Sequence, residues 1–115
     1  MKDLSALRDA LRAFAAERHW QAFHTPKNLS MALIKEAAEI VEHFQWSTAE
    51  GSLALAPAQK AEVADEIADV LMYLVQLADV LNIDPLEAAQ KKIIKNRQKY
   101  PAPDNPHPDR PKQTS

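Results

Sequence analysis

A single glycine, Gly51, in 115 residues limits what this chain can fold into more than any other feature. Hairpins and left-handed turns draw on glycine, so a fold of many short strands is disfavoured. The same scarcity removes the glycine-rich phosphate cradles, because neither GxxxxGK[ST] nor GxGxxG can be written with one glycine. Any phosphate chemistry must come by another route.

The apolar residues are spaced for helices. Leu4, Leu7, Leu11 and Phe14 recur every three or four positions and predict a first helix that fades near Trp20, ahead of the Phe23-His24-Thr25-Pro26 segment. Asn28 is the expected N-cap of a second helix striped by Leu29, Leu33, Ala37, Ile40 and Phe44. Residues 46–56 read as a loop. Pro57 then opens a long third helix, with Val63, Ile67, Val70, Leu71, Leu74, Leu77, Ala78 and Leu81 on one face. Asp84-Pro85-Leu86-Glu87 reads as N-cap, first position and capping-box acid of a fourth helix that ends near Tyr100-Pro101. The expected fold is all-α: a four-helix domain over 1–100, followed by a disordered proline-rich tail over 101–115 that is too poor in apolar residues to pack.

Met31, Ile34 and Val41 on the second helix, and Met72 and Val75 on the third, lie outside those main rows. Helices apolar over so much of their circumference need burial on more than one side. A homodimer or homotetramer is therefore expected, in keeping with the small core a chain of this length can build.

Charge and composition exclude several function classes. With 14 basic and 16 acidic residues the chain lacks the basic excess of a binder of polymeric nucleic acid. With no cysteine it has neither thiolate nucleophile nor disulfide. No apolar run approaches the roughly 18–20 residues that span a bilayer, and the N-terminus is unlike a secretory signal. A soluble cytoplasmic protein is the expectation.

Two pairs of acids stand out. Glu36 and Glu39 are three apart on the second helix, and Glu66 and Asp69 repeat that spacing on the third, each pair at the margin of an apolar stripe. If the two helices pack antiparallel, both pairs flank one groove. Four like charges there repel, and a hard divalent cation such as Mg²⁺ or Mn²⁺ would relieve the repulsion while binding phosphates. Acids at helical spacing are more commonly a solvated face, and spacing alone leaves both readings open. A di-iron carboxylate site is disfavoured, since the residue three before His43 is Ile40 rather than Glu. On the fourth helix Lys92 and Asn96 share a face and could meet phosphate oxygens, or simply complement the helix dipole. Trp20, Phe23, His24, Trp46 and Tyr73 could stack a base beside the groove or close the core.

The order of these residues carries a resemblance. Trp20, then Phe23-His24-Thr25-Pro26-Lys27-Asn28-Leu29, then Lys35-Glu36-Ala37-Ala38-Glu39 leading to Phe44-Gln45-Trp46, resembles the MazG-like pyrophosphohydrolases. Asp65-Glu66-Ile67-Ala68-Asp69-Val70-Leu71-Met72-Tyr73, Lys92-Ile93-Ile94-Lys95-Asn96 and Lys99-Tyr100-Pro101 extend the likeness over roughly residues 10–101, and it is strongest toward the dCTP pyrophosphatase branch. The resemblance implies a Mg²⁺-dependent hydrolysis of a nucleoside triphosphate, for example dCTP or a modified pyrimidine dNTP, to monophosphate and pyrophosphate. It implies Glu36, Glu39, Glu66 and Asp69 as metal ligands and catalytic carboxylates. It implies Lys92 and Asn96 at the phosphates, Trp20, Trp46 and Tyr73 at the base, and His24 and Asn28 near the substrate. The role implied is control or housecleaning of the nucleotide pool. Lys35 where many relatives carry a second Glu, Ile94 where the dCTP branch often has an acid, and Leu11 in place of a base-contacting polar residue depart from the pattern. They put cytosine preference in question. A phosphoribosyl-ATP-type pyrophosphohydrolase and a non-catalytic helical interaction module are the competing expectations.

Overall fold

A computed structural model of the chain describes residues 1–103, and within them the fold is all-α, without a strand. Asp3 caps the first helix, α1 (Leu4–Glu17), by accepting a hydrogen bond from the Ala6 amide at 2.8 Å. The helix is closed by His19 in the left-handed region, at φ 57°. Its amide donates to Ala16, and that of Trp20 donates back to Ala15, which completes a Schellman stop. Asn82, at φ 55°, likewise follows the end of the long helix Pro57–Val80, its amide donating to the Asp79 carbonyl. Gly51 has no positive φ. The chain thus stops two helices with a histidine and an asparagine, residue types that tolerate this conformation better than most.

After a short 3-10 turn, Gln21–Phe23, comes α2 (Pro26–Glu42). Its N-cap is Thr25, whose hydroxyl accepts from the Asn28 amide at 3.2 Å, and Pro26 takes the first helical position. The expectation of Asn28 as N-cap is corrected by one turn. Pro26 needs no amide partner there, so the helix starts earlier, and the Asn28 side chain is free to donate to the Phe23 carbonyl at 2.9 Å. The expected loop over 46–56 holds a four-residue helix, α3 (Ala49–Ser52), capped by Thr48.

The long helix α4 (Pro57–Val80) and the last, α5 (Pro85–Lys99), begin where proline and the Asp84 cap place them. Asp84 accepts from Leu86 and Glu87 amides at 3.0 and 3.2 Å. Glu87 does not complete a capping box. Its carboxylate pairs with Lys91 one turn on, at 2.8 Å. The helices fall into two compact units, one over residues 1–82 and one from residue 83 onward that contains α5. The expected proline-rich tail lies, from residue 104, outside the described residues. No described helix is long and apolar enough to cross a membrane.

In the first unit α2 packs chiefly on α4, and α1 also lies on α4. The buried core is small: Ala15 from α1, Leu29 from α2, and Val63, Val75 and Ala78 from α4. Val75 belongs to this core although the sequence pattern places it outside the main α4 row. Ile67, Leu71 and Leu74 of that row stay exposed within this chain. Met31, Ile34 and Val41 of α2 are also open, at 59%, 65% and 56%, so both central helices keep an uncovered apolar side.

One ion pair ties α1 to α4. Arg12 holds Asp79 through two contacts, of 2.8 and 2.5 Å. Hydrogen bonding from Arg12 keeps the Asp79 carboxyl below its usual range; burial opposes this, and the charges of Arg12 and Arg8 reinforce it. A carboxyl with a depressed folded-state pKa contributes stability above its unfolded pKa and loses it as pH falls through the folded value. Asp79→Asn is therefore expected to destabilise the neutral protein by about 0.5–1 kcal/mol, the pair being partly solvated. In thermal melts the gap between variant and parent should close in acid, below the usual aspartate range; a gap constant with pH would contradict the assignment.

Candidate functional site

The four acids singled out by spacing face the seam between α2 and α4. Glu36, Glu39, Glu66 and Asp69 are all half-buried, whereas their neighbours Glu42, Glu62 and Asp65 are exposed. The helix pair is antiparallel at this point. His43 meets Glu66 near one end, and the charges of Glu36 and Asp69 act on one another further along. Residue numbers rise along α2 as they fall along α4, which brings an E-x-x-E and an E-x-x-D to the same strip of surface.

Crowding shows in the electrostatics. The Glu36 carboxyl is held above its usual range, first by hydrogen bonding with Glu39, then by desolvation, then by the charges of Glu39 and Asp69, with Lys35 opposing. Proton sharing between neighbouring carboxyls is how such a group lowers its repulsion when nothing else neutralises it. Glu66 adds a second observation: its Oε2 is shielded from water and has no aligned hydrogen-bond donor. Both features fit a hard divalent cation, since the donors are all carboxylate oxygens of the kind Mg²⁺ and Mn²⁺ take. Among the described residues no three His, Asp or Glu side chains already converge on one point as they would around a bound ion.

The residues expected near substrate are distributed unevenly. His24 lines a pocket of about 100 Å³ between α1 and α4, together with Leu11, Arg12, Gln21, Gln76 and Val80. Trp20, Trp46 and Tyr73 are not part of its lining. Trp20 packs edge-on to Phe14, with the Arg18 guanidinium 3.5 Å from the Phe14 ring centre. Trp46 is 89% exposed just beyond α2, while Tyr73 is half-buried one turn after Asp69. Asn28 spends its amide on the turn that carries His24. Lys92 and Asn96 lie four apart on α5, in the second unit.

Two residues of this region were not singled out as site residues from the sequence. His43 stands four residues after Glu39 and seven after Glu36, and its Nε2 is 2.6 Å from Glu66 Oε2. The signal was present as a Glu-x-x-x-His spacing, which also shares a helix face; testing only for Glu-x-x-His passes over it. Gln76, seven residues after Asp69, lies on the same side of α4, and its half-buried side chain lines the pocket. An apolar row with one amide in it offers little to distinguish such a residue beforehand.

The chain as a whole has known relatives. Residues 32–109 match the MazG-like family. The chain is 46% identical over 90 residues to dCTP pyrophosphatase 1 of Mus musculus and 44% identical over 91 residues to that of Homo sapiens. These matches cover 76% and 77% of this chain, which spans about half the length of those relatives, at 53% and 54%. A crystal structure of a pyrophosphatase from Archaeoglobus fulgidus superposes with a TM-score of 0.81 at 44% identity, covering 85% of this chain and 92% of that one. The paired acids of α2 and α4 therefore sit in a fold and a sequence context with clear relatives, and the chain belongs to the MazG-like family.

Proposed function

We propose that this chain hydrolyses a nucleoside triphosphate between its α and β phosphates, releasing a nucleoside monophosphate and pyrophosphate. A pyrimidine deoxynucleotide, dCTP or a modified relative, is the proposed substrate class, supported by likeness to the dCTP pyrophosphatases. The observation that carries the reading is that Glu36, Glu39, Glu66 and Asp69 are half-buried on two antiparallel helices, with the Glu36 carboxyl raised by Glu39 and Asp69. Carboxylates crowded in this way are suited to a cation that brings phosphates with it.

In the proposed mechanism the four carboxylates hold Mg²⁺, or Mn²⁺ in its place. Bound there, the cation would neutralise phosphate charge and polarise the phosphorus that water attacks. The carboxylates do the rest at the seam: one of them, free on one oxygen, accepts a hydrogen bond from the attacking water and orients it. Likeness to the family supports Lys92 and Asn96 of α5 as donors to phosphate oxygens. Trp20, Trp46 and Tyr73 offer ring faces to the base, and His24, on the turn held by Asn28, offers an imidazole within the α1–α4 pocket. No covalent nucleophile is required, because phosphoanhydride cleavage depends on positioning and charge stabilisation.

The same reading includes self-association. The open apolar sides of α2 and α4, with Met31, Ile34 and Val41 on one and Ile67, Leu71 and Leu74 on the other, are supplied with cover by a second copy in a homodimer or homotetramer. Sedimentation of the full chain as a monomer at every concentration would exclude it.

The test of the reaction is product analysis. Purified protein with Mg²⁺ and a panel of canonical and modified triphosphates, with phosphoribosyl-ATP included, is expected to yield monophosphate and pyrophosphate in equal amounts from a pyrimidine deoxynucleotide. Release of orthophosphate, or no turnover of any member, would overturn the proposal. Turnover of phosphoribosyl-ATP alone would reassign the substrate.

A further inference from the structure

His43 is left without a task by the mechanism above. It shares one side of α2 with Glu36 and Glu39, and it reaches across the seam to α4. Its Nε2 and the Glu66 Oε2 are 2.6 Å apart, with the two side chains only 16% and 21% exposed. With the ring as it stands the N–H direction misses that oxygen, so the approach is close but not yet an aligned hydrogen bond. No other donor serves the atom.

The separation distinguishes two roles for the imidazole. Two ligand atoms in neighbouring positions around a magnesium-sized ion stand about 3 Å apart, since each lies about 2.1 Å from the ion at a right angle. The nitrogen and oxygen here are closer than that, at the range of a hydrogen bond to a charged acceptor. At that separation, with both side chains mostly enclosed, the imidazole is placed to hold the carboxylate.

We propose that His43 is a positioning residue for Glu66: by a turn of its ring it donates Nε2–H to Oε2, and so leaves Oε1 directed at the cation. The inference rests on the cation site proposed above. A glutamate has three side-chain torsions to fix when it becomes a ligand, and a partner that already holds one oxygen reduces the entropy lost at that step. Partners of this kind commonly change metal affinity by about 10–100-fold when removed.

The experiment measures metal binding directly, by calorimetric titration of Mg²⁺ into the full chain, with Mn²⁺ and pulsed electron paramagnetic resonance as a second readout. His43→Leu is expected to weaken Mg²⁺ binding by about 10–100-fold with little change in the metal-free melting temperature. His43→Gln, which keeps an N–H donor, should recover much of the loss. His43→Phe keeps a ring without a donor and should behave as the leucine variant does, which guards against a folding defect peculiar to one of them. The Mn²⁺ spectrum should show no directly bonded nitrogen. Unchanged affinity in both donor-less variants would overturn the inference and leave the cation site standing. A strong nitrogen coupling that vanishes in His43→Leu would also overturn it, by making His43 a ligand. Failure of the parent chain to bind either ion would remove the cation site and this inference together.

Discussion

Replacing Glu39 by Gln, or Asp69 by Asn, is expected to reduce pyrophosphate release by about 10²–10³-fold or more, comparable to or greater than the loss of a single preorganised charge-stabilising group. Each factor of ten corresponds to about 1.4 kcal/mol of transition-state stabilisation. The fold should not suffer. The raised Glu36 carboxyl reflects its contacts with Glu39 and Asp69. Removing one negative charge from that group relieves repulsion in the metal-free protein, so the melting temperature should hold or rise while activity is lost. That opposition separates a functional acid from a structural one, for which stability and activity would fall together. Steady-state rates on the preferred triphosphate and thermal melts without metal, on the same preparations, read both halves. Activity within about threefold of the parent would show that the acids are a solvated face.

The largest expected effect on stability comes from Leu29→Ala. Leu29 is 1% exposed at the start of α2, the most completely buried large side chain of this small core. Truncating such a residue removes its transfer free energy and leaves a cavity, a combined cost of about 3 kcal/mol. Small domains have about 5–15 kcal/mol in total, so the loss is a substantial fraction. Leu29→Met, which keeps the volume, should cost less than about 1.5 kcal/mol. Urea unfolding of the two variants measures the difference. Equal midpoints for alanine and parent would mean that the core is not centred where the structure places it. The site should register the change too, because Leu29 lies two turns before Glu36 on the same side of α2 and helps to seat that helix on α4.

Much of this was legible beforehand wherever the determinants are local. Pro57 and the Asp84-Pro85 pair mark helix starts because proline has no amide to lose in a first turn and an aspartate can receive the amides that follow it. The same rule locates the start of α2 at Thr25-Pro26, where the proline outweighs the good capping side chain of Asn28. The acid pairs were visible as spacings, and the family motif supplied an order in which those spacings have a purpose. The α4 row was less legible. Its apolar residues surround much of the helix, and a pattern that is apolar on several sides does not say which side α1 and α2 will cover.

The division follows from the range of the forces involved. The helix starts at Pro57 and Asp84 and the three-residue spacing of the acids depend on contacts within one or two turns, and the sequence by itself determined them. It also excluded the glycine cradles and the thiol chemistries by the simple absence of the residues they need. Only the tertiary structure decided that Val75 is core while Ile67, Leu71 and Leu74 face outward, and that Arg12 is committed to Asp79. It alone placed His43 against Glu66 at 2.6 Å. These are contacts between residues distant along the chain. They are set by how three helices share a limited apolar surface, a balance of many small packing terms that no single stretch of sequence carries.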